Sequence, residues 1–262
     1  MPGIFTNAIP FCVISSAIAI PSVRNLSSGS KEFVTYESSL SDISGVLIFN
    51  FLVLNEIIDR FSFGNFALQL IIITAVSFVA TIGLSFLLGK IEHHIKFVPI
   101  ILLIVLIYAV SEIYHLPGLI FILLFGLSIG NLDELKRFKW IEKFKPDELN
   151  KEVIKFRELT IEGTFLVRAL FFLLFGYLIE TGEVLNAETF RWTLFIVFFI
   201  FVFRAVQLKL SKIPLLPLLF VAPRGLITIL LFLSIEPVHS ISIVNKSLII
   251  QVIVLTSLLM MF

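Results

Sequence analysis

Six charged side chains stand in stretches of the chain that are otherwise almost continuous Leu, Ile, Val and Phe: Glu37, Asp42, Glu112, Arg168, Arg204 and Arg224. Three acids against three bases leave no net charge among them, which favours pairing. The densest constellation is Tyr36-Glu37-Ser38-Ser39-Leu40-Ser41-Asp42-Ile43-Ser44-Gly45. On a helix Ser38 and Asp42 share a face, as do Glu37 and Ser41. Glu37 and Asp42 are five residues apart, so the two carboxylates point in different directions and find different partners. One can be neutralised by an arginine while the other exchanges a proton. Asp42, Ser38 and Ser41 together offer the hard oxygen donors that a small alkali cation prefers. A second reading places Glu37 near the start of its helix, against the positive end of the dipole.

Two proline-bearing stretches could bring backbone to such a site. Ser15-Ser16-Ala17-Ile18-Ala19-Ile20-Pro21-Ser22 mixes small residues, hydroxyls and a proline that removes a backbone donor. Interruptions of this kind are tolerated at membrane depth where backbone lines a cavity, and they mark transporter sites. The sequence places the break at Pro21, with a simple kinked helix as the other reading. In Ala222-Pro223-Arg224-Gly225, an arginine again sits between a proline and a glycine. Arg204 either reaches a buried partner or snorkels to the membrane boundary.

The elements that must position these groups are membrane spans. The chain has 262 residues, 58% hydrophobic and 15% charged, with 29 phenylalanines and a mean hydropathy of +1.05. A soluble globular chain is about 45–50% apolar and about 25% charged. A water-soluble enzyme, a disordered protein and a nucleic-acid binder are therefore disfavoured, and a net charge of +1 offers no surface for a polyanion. One cysteine, Cys12, excludes an intrachain disulfide framework. Nine apolar segments are read at 8–23, 34–57, 66–89, 97–115, 117–131, 159–180, 189–208, 214–235 and 246–262. They lack the period-two polarity of a membrane barrel, so the predicted fold class is all-α, a polytopic transmembrane helical bundle.

Summing Lys and Arg over alternate loops gives fourteen on one side and three on the other. The fourteen mark the cytoplasmic side, which puts the N-terminus outside and the C-terminus inside the cell. The one long polar stretch, 132–158, carries Leu135, Phe138, Ile141 and Phe144 every third residue. That spacing suits a helix on the membrane surface, ended by Pro146; a solvated connector is the other reading. The odd count and the abrupt ends lead us to expect one domain over 1–262 that is incomplete at both ends.

Other chemistry is not assembled. Glu112-Ile113-Tyr114-His115 is half of a di-iron pattern without its second copy. His93 and His94 lack further ligands nearby. No HExxH, GxSxG or P-loop occurs. Gly126 and Gly130 form a small-xxx-small pair suited to helix packing. No enzyme activity, cofactor or resident metal is expected.

The run Glu37-Ser38…Ser41-Asp42 with Gly45 resembles the Glu-Ser-x-x-Asn-Asp motif of monovalent cation:proton antiporters of the sodium/proton exchanger type. The similarity continues through Glu112–Leu119, Gly126–Asn131, Phe171–Gly176, Arg204 and Arg224-Gly225. It implies an antiporter fold with discontinuous helices, of which these are the fifth to thirteenth of thirteen spans, in a multi-pass inner or plasma membrane protein that is a homodimer at full length. It further implies that Asp42 binds cation and proton in turn, that Ser38 coordinates the cation, and that Glu37 pairs with Arg204. Arg224 would support the site. Where relatives have Thr-Asp-Pro this chain reads Ala19-Ile20-Pro21, and Ser41 replaces the Asn before the key aspartate. The expected function is exchange of a monovalent cation (Na⁺, K⁺ or Li⁺) for protons by alternating access, electroneutral because one acid acts. The alternative is a non-transporting sensor or structural relative, as Ile20 in place of the acid would allow.

Overall fold

In the computed structural model, residues 2–55, 58–90, 97–131 and 146–261 are described. The surface helix expected at 135–144 and the His93-His94 pair lie outside them. The described residues form helices and no strand. The helices are α1 (Pro2–Cys12), α2 (Ser16–Ser22), α3 (Ser28–Leu54), α4 (Arg60–Lys90), α5 (Phe97–Ile113), α6 (Gly118–Gly130), α7 (Pro146–Leu178), α8 (Thr181–Val184), α9 (Ala187–Leu210), α10 (Leu226–Leu233) and α11 (Lys246–Leu259). Among the described residues, five helical stretches are long and apolar enough to cross a membrane. Their outer faces carry exposed Phe61, Phe78, Phe165, Leu173, Phe198 and Tyr177, as expected of a solvent that is hydrocarbon. The protein is an all-α, multi-pass integral membrane domain.

The chain divides into two compact units, Met1–Glu56 with Arg168–Phe262, and Ile57–Val167. In the second, α4, α5 and α6 pack on one another around Ile73, Leu88, Ile100, Phe121 and Phe125. The start of α4 is fixed by Asp59, whose Oδ1 accepts from the amide of Ser62 at 2.8 Å, a capping bond that satisfies one of the helix's orphan donors.

In the first unit α1 and α2 pack on α3, α1 and α3 on α10, and α9 and α8 on α11. Association of apolar helices in lipid depends on close packing and interhelical hydrogen bonds rather than on escape from water. Both occur here. Gly45 of α3 lies under Val13, where a Cβ would collide with Val13 Cγ2. Gln251 of α11, 4% exposed, donates to the carbonyls of Val184 at 3.1 Å and Asn186 at 2.9 Å and accepts from Thr193 Oγ1 at 2.8 Å. The bond to Val184 O satisfies a carbonyl freed where α8 ends. Gln251→Leu takes the donor from the Val184 carbonyl and the acceptor from Thr193 Oγ1, at a cost of about 1–3 kcal/mol. A lowered Tm in detergent checks this; an unchanged Tm contradicts it.

Two predicted spans are not continuous helices. The first is α1 and α2 separated by Val13, Ile14 and Ser15, so the break lies ahead of Pro21, which sits inside α2. Pro21 removes one amide donor, and one residue from the end of α2 it has no later turn to interrupt. Farther back, Pro10 weakens the last turn of α1, and β-branched Val13 and Ile14 prolong the helix poorly. The eighth span is helical only from Leu226. Pro214, Pro217 and Pro223 precede it, and each removes a donor that a helix would need.

Candidate functional site

The two interrupted spans cross at their irregular stretches. The Ser15 amide donates to Pro223 O at 2.9 Å. Its neighbours are taken by α3: the Ile14 amide donates to Ser41 Oγ at 3.0 Å, and the Ser16 amide to Asp42 Oδ2 at 3.3 Å. The amides of residues 14–16 thus each have an acceptor, as non-helical backbone at membrane depth requires. Gly225 is required by the close approach: a Cβ there would meet Ser15 Oγ at 2.6 Å and Ile18 Cδ1 at 3.0 Å. Gly225→Ala should push Ser15 off Pro223 O and lower stability by about 1–3 kcal/mol. Thermal unfolding beside the wild type tests this, and equal Tm values would refute it.

Asp42 sits at the start of α2. Besides the Ser16 amide, its Oδ2 accepts from Ser16 Oγ. The positive end of a helix favours negative charge at this position. Oδ1 is buried and has no hydrogen-bond partner among the described residues. The carboxylate is therefore anchored through one oxygen and unpartnered at the other.

Arg224 serves the opposite helix end. Its Nε donates to Phe11 O in the last turn of α1 at 2.6 Å, and Nη1 to Ala222 O at 2.9 Å. Its own amide donates to Thr256 Oγ1 of α11 at 3.1 Å. A buried cation at a helix C-terminus is favourable by charge and satisfies an orphan carbonyl. Break, crossing and charges thus form one structure, with an acid at the positive end of α2 and a base at the negative end of α1.

Beside it, Glu37 and Arg204 form an ion pair through Oε1 and Nη1. The Arg204 side chain is 2% exposed and that of Glu37 11%. Gln207 Nε2 donates to the same Oε1 at 2.9 Å, and Arg204 Nε to Leu218 O of the crossing stretch at 3.2 Å. The Phe33 ring lies 5.9 Å from the guanidinium, within cation–π range. Arg204 therefore does not snorkel.

A half-partnered carboxylate at a break, flanked by an ion-paired acid and crossed by a second interrupted span, is the arrangement expected of an ion-exchanging transporter. The family model described as "Sodium/hydrogen exchanger, transmembrane" matches residues 5–262. The chain belongs to this family. No curated protein and no solved structure matches it. The exchanger assignment makes cation/proton exchange across a membrane the general function, with cation and proton as its substrates.

Of the residues singled out in the sequence, Asp42 and Ser41 meet at the exchanger's break. Ser38 is fully buried and donates to Val34 O of its own helix at 2.7 Å. Pro21 lies beyond the break, within α2. Glu112 is exposed. Ser16, which holds Asp42, was visible only as one hydroxyl among several. Gln207, Thr256 and the carbonyls of Phe11 and Leu218 gave no signal, because their roles arise from contacts between distant segments.

Proposed function

We propose that Asp42 is the group which proton and alkali cation occupy in turn. The observation that carries this is the carboxylate's asymmetry: Oδ2 tied to Ser16, Oδ1 buried without a partner. A proton on Oδ1, or a cation shared between Oδ1 and the hydroxyls of Ser41 and Ser16, completes the site. The backbone carbonyls of Val13 and Ile14 supply further oxygens. Because the two occupants use one oxygen, each must leave before the other enters, and their fluxes are coupled.

Glu37 is held by Arg204 and takes no part in turnover, so one proton exchanges for one cation. Arg224 holds the end of α1 while the break moves. Alternating access comes from α1, α2 and the crossing stretch shifting together, since the bond from Ser15 to Pro223 ties them. The lysine-rich loops face the cytoplasm, and the full protein is a homodimer. Ser38 enters the ion's shell only by giving up its bond to Val34 O.

The test is proton movement in proteoliposomes of the full-length protein under imposed Na⁺, K⁺ or Li⁺ gradients. An inward Na⁺ gradient should drive proton efflux without a membrane potential. A folded protein with no cation-dependent proton flux would overturn the proposal and favour a non-transporting relative.

A further inference from the structure

A cavity of about 530 Å³ opens in the first unit between α1, α9 and the crossing stretch, within the size range of pockets for small organic ligands. Its walls are apolar, with Ile4 from α1, Val244, and Phe195, Phe199 and Phe203 along one face of α9. Arg204 and Arg224, 3% and 4% exposed, also line it. Arg204 is paired with Glu37, yet its Nη2 is buried without a hydrogen-bond partner among the described residues. Arg224 forms no ion pair among the described residues; its guanidinium bonds are to the carbonyls of Phe11 and Ala222. A buried guanidinium whose hydrogen bonds go to carbonyls alone has no carboxylate in contact and can take an anion.

We propose that this cavity binds an amphipathic anion, a monoanionic oxygen headgroup carried on an alkyl chain. The chain lies along Phe195, Phe199 and Phe203, and the headgroup meets Arg204 Nη2 and Arg224. This combination selects against two other classes of molecule. An inorganic anion would leave the aromatic wall uncovered, and an apolar or cationic chain would give Arg204 Nη2 no acceptor and Arg224 no counter-charge. The site does not depend on the exchange reading, because its occupancy can be measured without ion flux.

Cys12 supplies the measurement. It is the single cysteine of the chain, it is exposed and it lines the cavity. Purified protein in an uncharged detergent is labelled with a maleimide in the presence of decanoate, decanol or decyltrimethylammonium. The same labelling is run in nanodiscs with and without phosphatidylglycerol. At ten times its Kd, a blocking occupant slows labelling about tenfold. Slowing by decanoate identifies a free carboxylate amphiphile as a ligand, and slowing by phosphatidylglycerol identifies a lipid headgroup; either supports the site. Phe199→Ala should weaken protection about tenfold by removing one wall. Phe198→Ala, on the same helix but not lining the cavity, should leave it unchanged. Equal slowing by decanol or the cationic chain, or no slowing by either anion, overturns the proposal. So does protection that survives Phe199→Ala intact or is lost in both variants.

Discussion

Replacing Arg204 with Met should destabilise the domain by about 3–5 kcal/mol, because Glu37 would then be left buried without its partner. The loss is not of one bond alone. Arg204 also holds Leu218 O, so the crossing stretch would lose an anchor as well. Glu37→Gln should cost a similar amount for the opposite reason, leaving the guanidinium unpaired in a nearly closed site. The double variant Glu37→Leu/Arg204→Met removes both charges and should be milder than either single change. Buried ion pairs replaced as a unit by apolar groups are often neutral or better. Unfolding in mixed micelles supplies the cycle. If both single variants and the double variant unfold with the wild type, the pair contributes nothing to the fold.

The second large effect is on transport. Asp42→Asn keeps the size of the side chain and can still accept from Ser16, so the break should hold and Tm should change little. It removes the charge and the titrating oxygen together. Coupled flux should fall to the level of empty vesicles, while the protein remains folded and labelled at Cys12. Asp42→Glu keeps the charge but pushes the carboxylate deeper toward α2, and should retain a small fraction of the rate. Wild-type exchange in Asp42→Asn would remove this residue from the mechanism.

Much of this site was legible because charge at membrane depth is expensive. That cost marks Glu37, Asp42, Arg204 and Arg224 in the sequence without any structural knowledge. The interruptions were half legible. Prolines announce that helix cannot continue at 214–225, yet hydropathy there is that of a span. At the first span the sequence points to Pro21, whereas the break sits at Val13–Ser15. Its place is set by partners on other elements: Ser41 and Asp42 on α3 and the carbonyl of Pro223 draw off the amides of residues 14–16. Nothing local to 13–15 reveals those acceptors. Ser38 shows the reverse case, since its spacing from Asp42 fits a shared face while its hydroxyl turns back to Val34 O. Helical register places a side chain, but the hydrogen bond it makes depends on what else is within reach.

The most direct test asks whether cation and proton compete for Asp42. Alkali-cation affinity of the purified full-length protein is measured across pH, with Asp42→Asn alongside. One shared oxygen predicts that Kd rises about tenfold for each unit of acidification once the carboxylate is protonated, with a proton released for each cation bound. Asp42→Asn should bind no cation at any pH. A cation affinity independent of pH, or retained in Asp42→Asn, would contradict the account.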